Sequence, residues 1–490
     1  MSATSNAGRG FARLPFTLKL GYSAGQLVDG IVTNGLNIFL LFYLTAVCGL
    51  PGGLAGAALS VGLVVDALMD PLIGSTSDAC HARLGRRLPF MLVGAPATAL
   101  LFVLIFSLPQ GWSTTSLFLW VTTLSVLLRV SLSAFLLPYQ AVGAEITDDD
   151  RERTSLVAWR WGVGILGTLG AVLLGFGVFF AGAGGLSQRG AYTPFAATLA
   201  TILLLGAAVS AWAVAATRGR QYPPAREGRQ SLARLGRELL EIFHNRSFLI
   251  LFTGALLFFV ALGTNMSLGL HANTFFWHLN TAQTQWVTLS IFVGLLAGAP
   301  LAGPLLSWFE KRTIVMVGMI GMAIGQGGPA ALRLCGLLDA SGGALTAIIV
   351  GVTFVSSVLM AMSAIAFGSM MADAADEHEH LFGARREGLY FAGWAFASKA
   401  ATGGGILIAG LVLQAIAFPS DAAKTGGAAP DLTPHMVAML GFFYGPGSAL
   451  LTLAATALSS LYRLNREAHA AILVDLGRRR NLIAGDIGHA

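Results

Sequence analysis

Two aspartates spaced four apart, Asp66 and Asp70, stand inside a long apolar run of this 490-residue chain. At helical spacing both carboxylates lie on one face, about 6 Å apart in rise. Two carboxylates facing one dry cavity cannot both ionise cheaply, so the pair can hold a proton or a hard monovalent cation. Lys399, about a dozen residues into another apolar run, could neutralise the empty pair, and a bound cation would then compete with it. The alternative is a permanent Asp–Lys bridge that only locks two helices. A fixed bridge needs one acid, whereas here two share a face.

Other charges also fall inside apolar runs, where each costs roughly 2.5–3.5 kcal/mol at a helix centre and so needs a reason. Asp29 lies about eleven residues into the first run. Arg129 has two open roles: an anchor for a carboxylate or phosphate on a solute, or a partner for Asp29 or another buried acid. Arg160, one or two turns into its run, either ties the loop near Asp148–Asp150 or touches a solute. Glu377-His378-Glu379-His380 is not HExxH, and four successive residues point around a helix, so it reads as a solvated helix end rather than a metal site. His271 and His278 read as interfacial. Cys48, Cys80 and Cys335 have no CxxC spacing and suggest neither a disulfide framework nor a metal site. With no nucleophile–base pair, an enzyme is not expected. With no G-x-x-x-x-G-K-[ST] segment, pumping must be driven by an ion gradient rather than ATP, and no cofactor beyond the coupling ion is expected.

The elements that must position these residues are membrane helices. The chain is 55% hydrophobic and 11% charged, with a mean hydropathy of +0.71. A soluble protein carries roughly 25% charged residues, so a water-soluble surface of this size is excluded. Twelve apolar spans are read at about 17–47, 53–79, 89–109, 115–144, 155–182, 193–216, 247–278, 283–309, 313–337, 343–374, 387–418 and 434–462. About 20 apolar residues suffice to cross the hydrocarbon core as a helix. Residues 1–16 lack an apolar core followed by a small-residue cleavage site, so no cleavable signal is expected. With both termini in the cytoplasm, 24 of the 30 Lys and Arg fall on the cytoplasmic side. That is the positive-inside bias, and the net charge of +6 then needs no nucleic-acid partner.

The polar stretch 217–246 divides the chain into a six-helix half at 1–216 and another at 247–464, followed by a tail at 465–490. Ser231–Phe243 reads as an amphipathic helix on the inner leaflet, and Leu464–Arg480 reads similarly. The halves repeat. Asp70-Pro71-Leu72-Ile73-Gly74 has a counterpart in Ala299-Pro300-Leu301-Ala302-Gly303, and Ala144-Glu145 with Asp148 matches Ala372-Asp373 with Asp376. Both matches lie 228 or 229 residues apart. Duplicated halves imply rocking alternating access around a site near the midplane. Only the first half keeps the acid, because Asp70 becomes Ala299.

Asp66-x-x-x-Asp70-Pro71-x-x-Gly74-x-x-x-Asp78, followed by Arg83-x-Gly85-Arg86-Arg87-x-Pro89-Phe90, resembles the glycoside–pentoside–hexuronide:cation symporters, the melibiose-carrier branch of the major facilitator superfamily. Lys19-Leu20-x-Tyr22-x-x-Gly25, Asp150-x-Glu152-Arg153-Thr154 with Arg160, and Ala372-Asp373-x-x-Asp376 before Gly383-x-Arg385-x-Glu387-Gly388 and Lys399 extend the likeness over about 18–462. The resemblance implies two pseudo-symmetric six-helix bundles and import of a solute with sodium or a proton. It places the cation on Asp66 and Asp70 with Lys399 beside them, and gating charges at Asp78, Arg83, Arg86, Arg87, Asp373 and Asp376.

The departures bear on substrate and ion. Where melibiose carriers have Asn and Thr near the cation, this chain has Met69 and Ala395, which favours protons over sodium because hard cations want several oxygen ligands. The sugar-binding acids fall on Gly30, beside Asp29, and on Leu136, and the stacking aromatic falls on Gln140. A simple galactoside is thereby disfavoured; with Arg129, a hexuronide or other organic acid fits. Animal relatives move lysophospholipids, so an amphipathic or anionic lipid-like solute is the alternative, and a non-transporting scaffold is the third. A monomer in a bacterial inner membrane is expected.

Overall fold

The computed structural model describes residues 14–147, 149–182, 184–217, 241–338, 341–383, 386–419 and 432–487. Among these the chain is helical throughout and falls into two compact units. One comprises Met1–Leu50 and Val61–Arg226, the other Pro51–Ser60, Glu227–Pro419 and Pro430–Ala490, each over its described residues. Among the described residues, eleven helices are long and apolar enough to cross a membrane. The predicted first span, 17–47, is assembled from pieces: α1 (Phe16–Ser23), α2 (Gln26–Gly35) and two π-helical segments, Leu36–Leu40 and Tyr43–Val47. The break has a packing cause. A Cβ at Gly25 would lie 2.6 Å from both the Ser210 hydroxyl and the Tyr139 ring, so the chain carries a helix-weakening glycine where two neighbours press in.

Next come α3 (Gly52–Asp78), which belongs to the first unit from Val61 onward, and, in that unit, α4 (Leu88–Ile105), α5 (Thr114–Glu145), α6 (Asp150–Leu174) and α7 (Tyr192–Ala216). Ser113 caps α5 by accepting from the Ser116 amide, which satisfies one of the free donors of a helix start. Pro71, directly after Asp70, cannot donate to the Ala67 carbonyl, so the α3 ladder is interrupted beside the acid pair. Helices α2 and α6 meet through glycine: a Cβ at Gly30 would lie 2.1 Å from the Gly164 carbonyl oxygen. One end of the unit is closed by buried rings, with Tyr192 centred 4.4 Å from Tyr43 and 4.6 Å from Phe180.

The second unit contains α8 (Arg246–His271), α9 (Thr281–Trp308), α10 (Lys311–Leu334), α11 (Gly342–Phe382), α12 (Glu387–Ala415), α13 (Pro434–Phe442) and α14 (Ser448–Ser459). Asn245 caps α8, and Asn280 with Gln283 forms a reciprocal capping box on α9. Helices α8 and α12 repeat the glycine contact, since a Cβ at Gly405 would come 2.5 Å from the Val260 carbonyl oxygen. Phe248, Leu251, Met370, Met371, Tyr390 and Tyr462 form the buried core.

The tail reads as a helix in the sequence and is one, α15 (Arg466–Ile487), fastened to the second unit. Arg466 donates to the Leu306, Ser307 and Phe309 carbonyls, groups that the end of α9 leaves without helical partners. Arg479 donates to the His380 carbonyl near the end of α11. Arg466→Ala is therefore expected to free α15 and make the tail cleavable by protease without unfolding the transmembrane helices. Limited proteolysis with an intact melting transition checks this. Of the predicted helix Ser231–Phe243, residues 231–240 lie outside the described residues, as do Asp148 and Arg385.

Candidate functional site

The acid pair is built as its spacing implies, and a residue from α5 completes it. The Ser133 hydroxyl oxygen lies 2.6 Å from Asp66 Oδ1 and 2.8 Å from Asp70 Oδ1. Asp66 is 4% exposed, Ser133 is buried and Asp70 half-buried. Ser133 has one proton to donate, so it satisfies one carboxylate at a time.

Arg129 stands one helical turn before Ser133 on α5 and is buried. Asp29 accepts from the Gln26 amide at 2.8 Å and from the Thr33 hydroxyl at 2.8 Å. Gln26 in turn accepts from the Arg160 Nε at 3.4 Å. The Arg160 guanidinium carbon stands 5.2 Å from the centre of the Tyr139 ring, and Tyr139 stacks on Tyr22 at 4.8 Å. Arg160 thus belongs to a polar constellation of α2, α5 and α6. Gln140 is exposed and outside it. Lys399 lies half-buried near the middle of α12 in the second unit, and it too has interactions within the fold.

The expected gating charges form two clusters. In the first unit, Arg87 reaches Asp78, donates to the Ser77 hydroxyl at 2.7 Å and meets Glu145 at 2.9 Å, while Arg86 meets Glu145 at 2.7 Å. Arg83 is exposed and apart from this group. In the second unit, Lys311 donates to both oxygens of Asp373, at 2.7 and 2.6 Å. His469 of α15 stands 3.6 Å from Asp373 and 3.0 Å from Asp376. Glu145 and Asp373, 228 residues apart, each hold basic partners within their own unit. His378 is buried and 4.6 Å from the Phe382 ring, and among the described residues no cluster suited to a metal ion occurs.

Ser133, Gln26, Tyr139 and Glu145 were not singled out as site residues by the sequence. Glu145 was visible only as half of the repeat. Ser133 had one usable signal, its four-residue spacing from Arg129, which puts both on the face of α5 that meets the acids.

Helices arranged as two repeats, with charges buried among them, define an integral multi-pass membrane transporter. The chain belongs to the MFS/sugar transport protein family, whose pattern it matches over residues 21–466. It is 26% identical over 383 residues to the inner membrane symporter YicJ of Escherichia coli, covering 78% of each chain. It is 25% identical over 445 residues to the isoprimeverose transporter of Lactiplantibacillus pentosus, covering 88% of this chain and 87% of that one. Shorter matches, 36% over 170 residues to a Synechocystis symporter and 32% over 155 to the sodium-dependent lysophosphatidylcholine symporter 1 of Mus musculus, cover only 31% and 29% of those proteins. The crystal structure of a D-xylose-proton symporter shares the fold, with a TM-score of 0.58 at 16% identity over 90% of this chain and 97% of that one. The family is one of membrane transporters, not enzymes.

Proposed function

We propose that this protein imports a glycoside, hexuronide or related sugar-like solute by alternating access, coupled to one proton bound by Asp66, Asp70 and Ser133. The observation that carries the reading is the Ser133 hydroxyl placed within hydrogen-bond distance of both carboxylates, an arrangement that one shared proton satisfies. Arg129 balances the charge of the buried acids, and the counter-charge role of Lys399 belongs to the same proposal. Gln26, Asp29, Thr33 and Arg160 offer donors and acceptors for sugar hydroxyls or a uronate. The name of the L. pentosus relative supports a sugar-like solute and that of the E. coli relative an inner membrane; cytoplasmic termini, a monomeric carrier and no nucleic-acid partner belong to the same proposal. One positive charge moving inward gains about 2.3 kcal/mol per 100 mV, which at about 1.4 kcal/mol per tenfold sustains roughly fifty-fold accumulation.

The test is uptake of labelled glycosides and glucuronides into cells, with sodium present or replaced by choline, at two pH values. Uptake that needs an inward proton gradient and ignores sodium supports the reading; a strict sodium requirement overturns proton coupling. Ser133→Ala removes the hydroxyl but neither acid. It is expected to change the pH profile of uptake and to lower the gradient-driven rate about tenfold, since one hydrogen bond to a charged group contributes about 1.5 kcal/mol. An unchanged profile would remove Ser133 from the site. The match to the lysophosphatidylcholine symporter keeps one second reading, an amphipathic solute, and a lysophosphatidylcholine arm in the same assay decides it.

A further inference from the structure

The tail helix α15 lies against the second unit through contacts of two kinds. The first kind is indifferent to pH. Arg466 holds the Leu306, Ser307 and Phe309 carbonyls at the end of α9, its amide meets Glu310 at 3.3 Å, and Leu476 is buried. Arginine keeps its charge throughout the physiological range. The second kind sets histidine against carboxylate. His469 Nε2 stands 3.0 Å from Asp376 and 3.6 Å from Asp373, and the three side chains are only 18%, 21% and 9% exposed. Histidine ordinarily gains or loses its charge between about pH 5 and 8.

The charges around His469 decide which of its forms holds the tail. From α11 it faces Asp373 and Asp376, and from α10 Lys311 reaches the same group by donating to both oxygens of Asp373. On α15 itself, Arg466 is engaged by carbonyls and Glu467 is exposed. With His469 neutral, two carboxylates share one ammonium. With His469 protonated, each carboxylate has a cation, and the bond to Asp376 becomes charge-assisted, roughly twice as strong as a neutral one. A second pair, His380 and Asp475 at 3.1 Å, lies further along the same helix. There Arg479 already holds Asp475 at 2.7 Å and donates to the His380 carbonyl, so a proton adds less than it does at His469.

We propose that α15 is a strap fastened by a proton on His469, docked across the ends of α9, α10 and α11 at acidic pH and released as pH rises through the histidine range. On the reading above the compartment sensed is the cytoplasm; the strap itself requires neither a particular solute nor a particular coupling ion. The sign follows from the contact. A histidine that gains carboxylate partners on docking stabilises the docked tail at low pH, and that contribution fades as pH rises. A released helix of this length is marginal in water, so release opens its backbone to protease.

The experiment treats the full chain in phospholipid nanodiscs with proteinase K at several pH values between about 5.5 and 8. Cuts between Ala468 and Gly477 are quantified by mass spectrometry, and an unstructured peptide in each reaction normalises the protease activity. Cleavage of a segment that opens and closes quickly follows the population of its open form. Normalised cleavage of the wild type is expected to rise about tenfold across that range. His469→Gln keeps an amide donor but carries no charge, and should be cut at the high-pH rate throughout. His469→Lys is charged throughout and should be protected throughout. A histidine that serves packing alone would give a flat wild-type profile and equal losses in both variants. That result, or a pH dependence that persists in His469→Gln, would overturn the proposal and leave the transport reading standing.

Discussion

Replacing Asp70 by Asn is expected to reduce solute accumulation from roughly fifty-fold to about one, while solute still equilibrates across the membrane. The amide matches the carboxylate in shape and can still meet Ser133, so the fold has no reason to change. What it loses is the second ionisable group. On the proposed reading, Asp66 alone cannot form with Ser133 the two-acid site that holds the coupling proton. The steady-state ratio of labelled solute inside and outside energised cells measures the effect, and a melting curve confirms that folding is intact. Accumulation at the wild-type level would show that Asp70 has no part in coupling.

The second large effect lies in helix packing. Gly30→Ala puts a Cβ 2.1 Å from the Gly164 carbonyl oxygen, and a backbone group of a facing helix cannot swing aside as a side chain can. Overpacking typically costs 1–3 kcal/mol, and here about 3 kcal/mol or more is expected because α2 and α6 must separate. Asn34 donates to Thr168 at 2.8 Å and Thr168 to the Gly30 carbonyl at 3.1 Å, so the separation would break polar links as well. Gly74→Ala is the control, since nothing lies within 4 Å of the place its methyl group would take on α3. Gly30→Ala should lower the melting temperature by several degrees and Gly74→Ala should leave it unchanged or raised. The same contact leaves no room for any side chain at position 30 while Gly164 packs there.

Asp66 and Asp70 were legible because a four-residue spacing and a costly environment both act along one helix. Eleven of the spans were legible for the same local reason, continuous apolarity. The break in the first span was not. Hydropathy averages over the Ala24-Gly25 step, and its cause is the crowding of Gly25 by Tyr139 and Ser210, far away in sequence. Ser133 was equally hidden, because a serine on a membrane helix most often bonds back to its own preceding turn. Its contact with two acids exists only once α3 and α5 are side by side.

The most direct test of proton coupling is a pH-electrode recording on de-energised cells in a weakly buffered, sodium-free medium, during addition of the glycosides and glucuronides that are taken up. The account predicts a transient alkalinisation with the wild-type protein and none with Asp70→Asn. Solute entry with no proton movement, restored to active accumulation only by sodium, would contradict it.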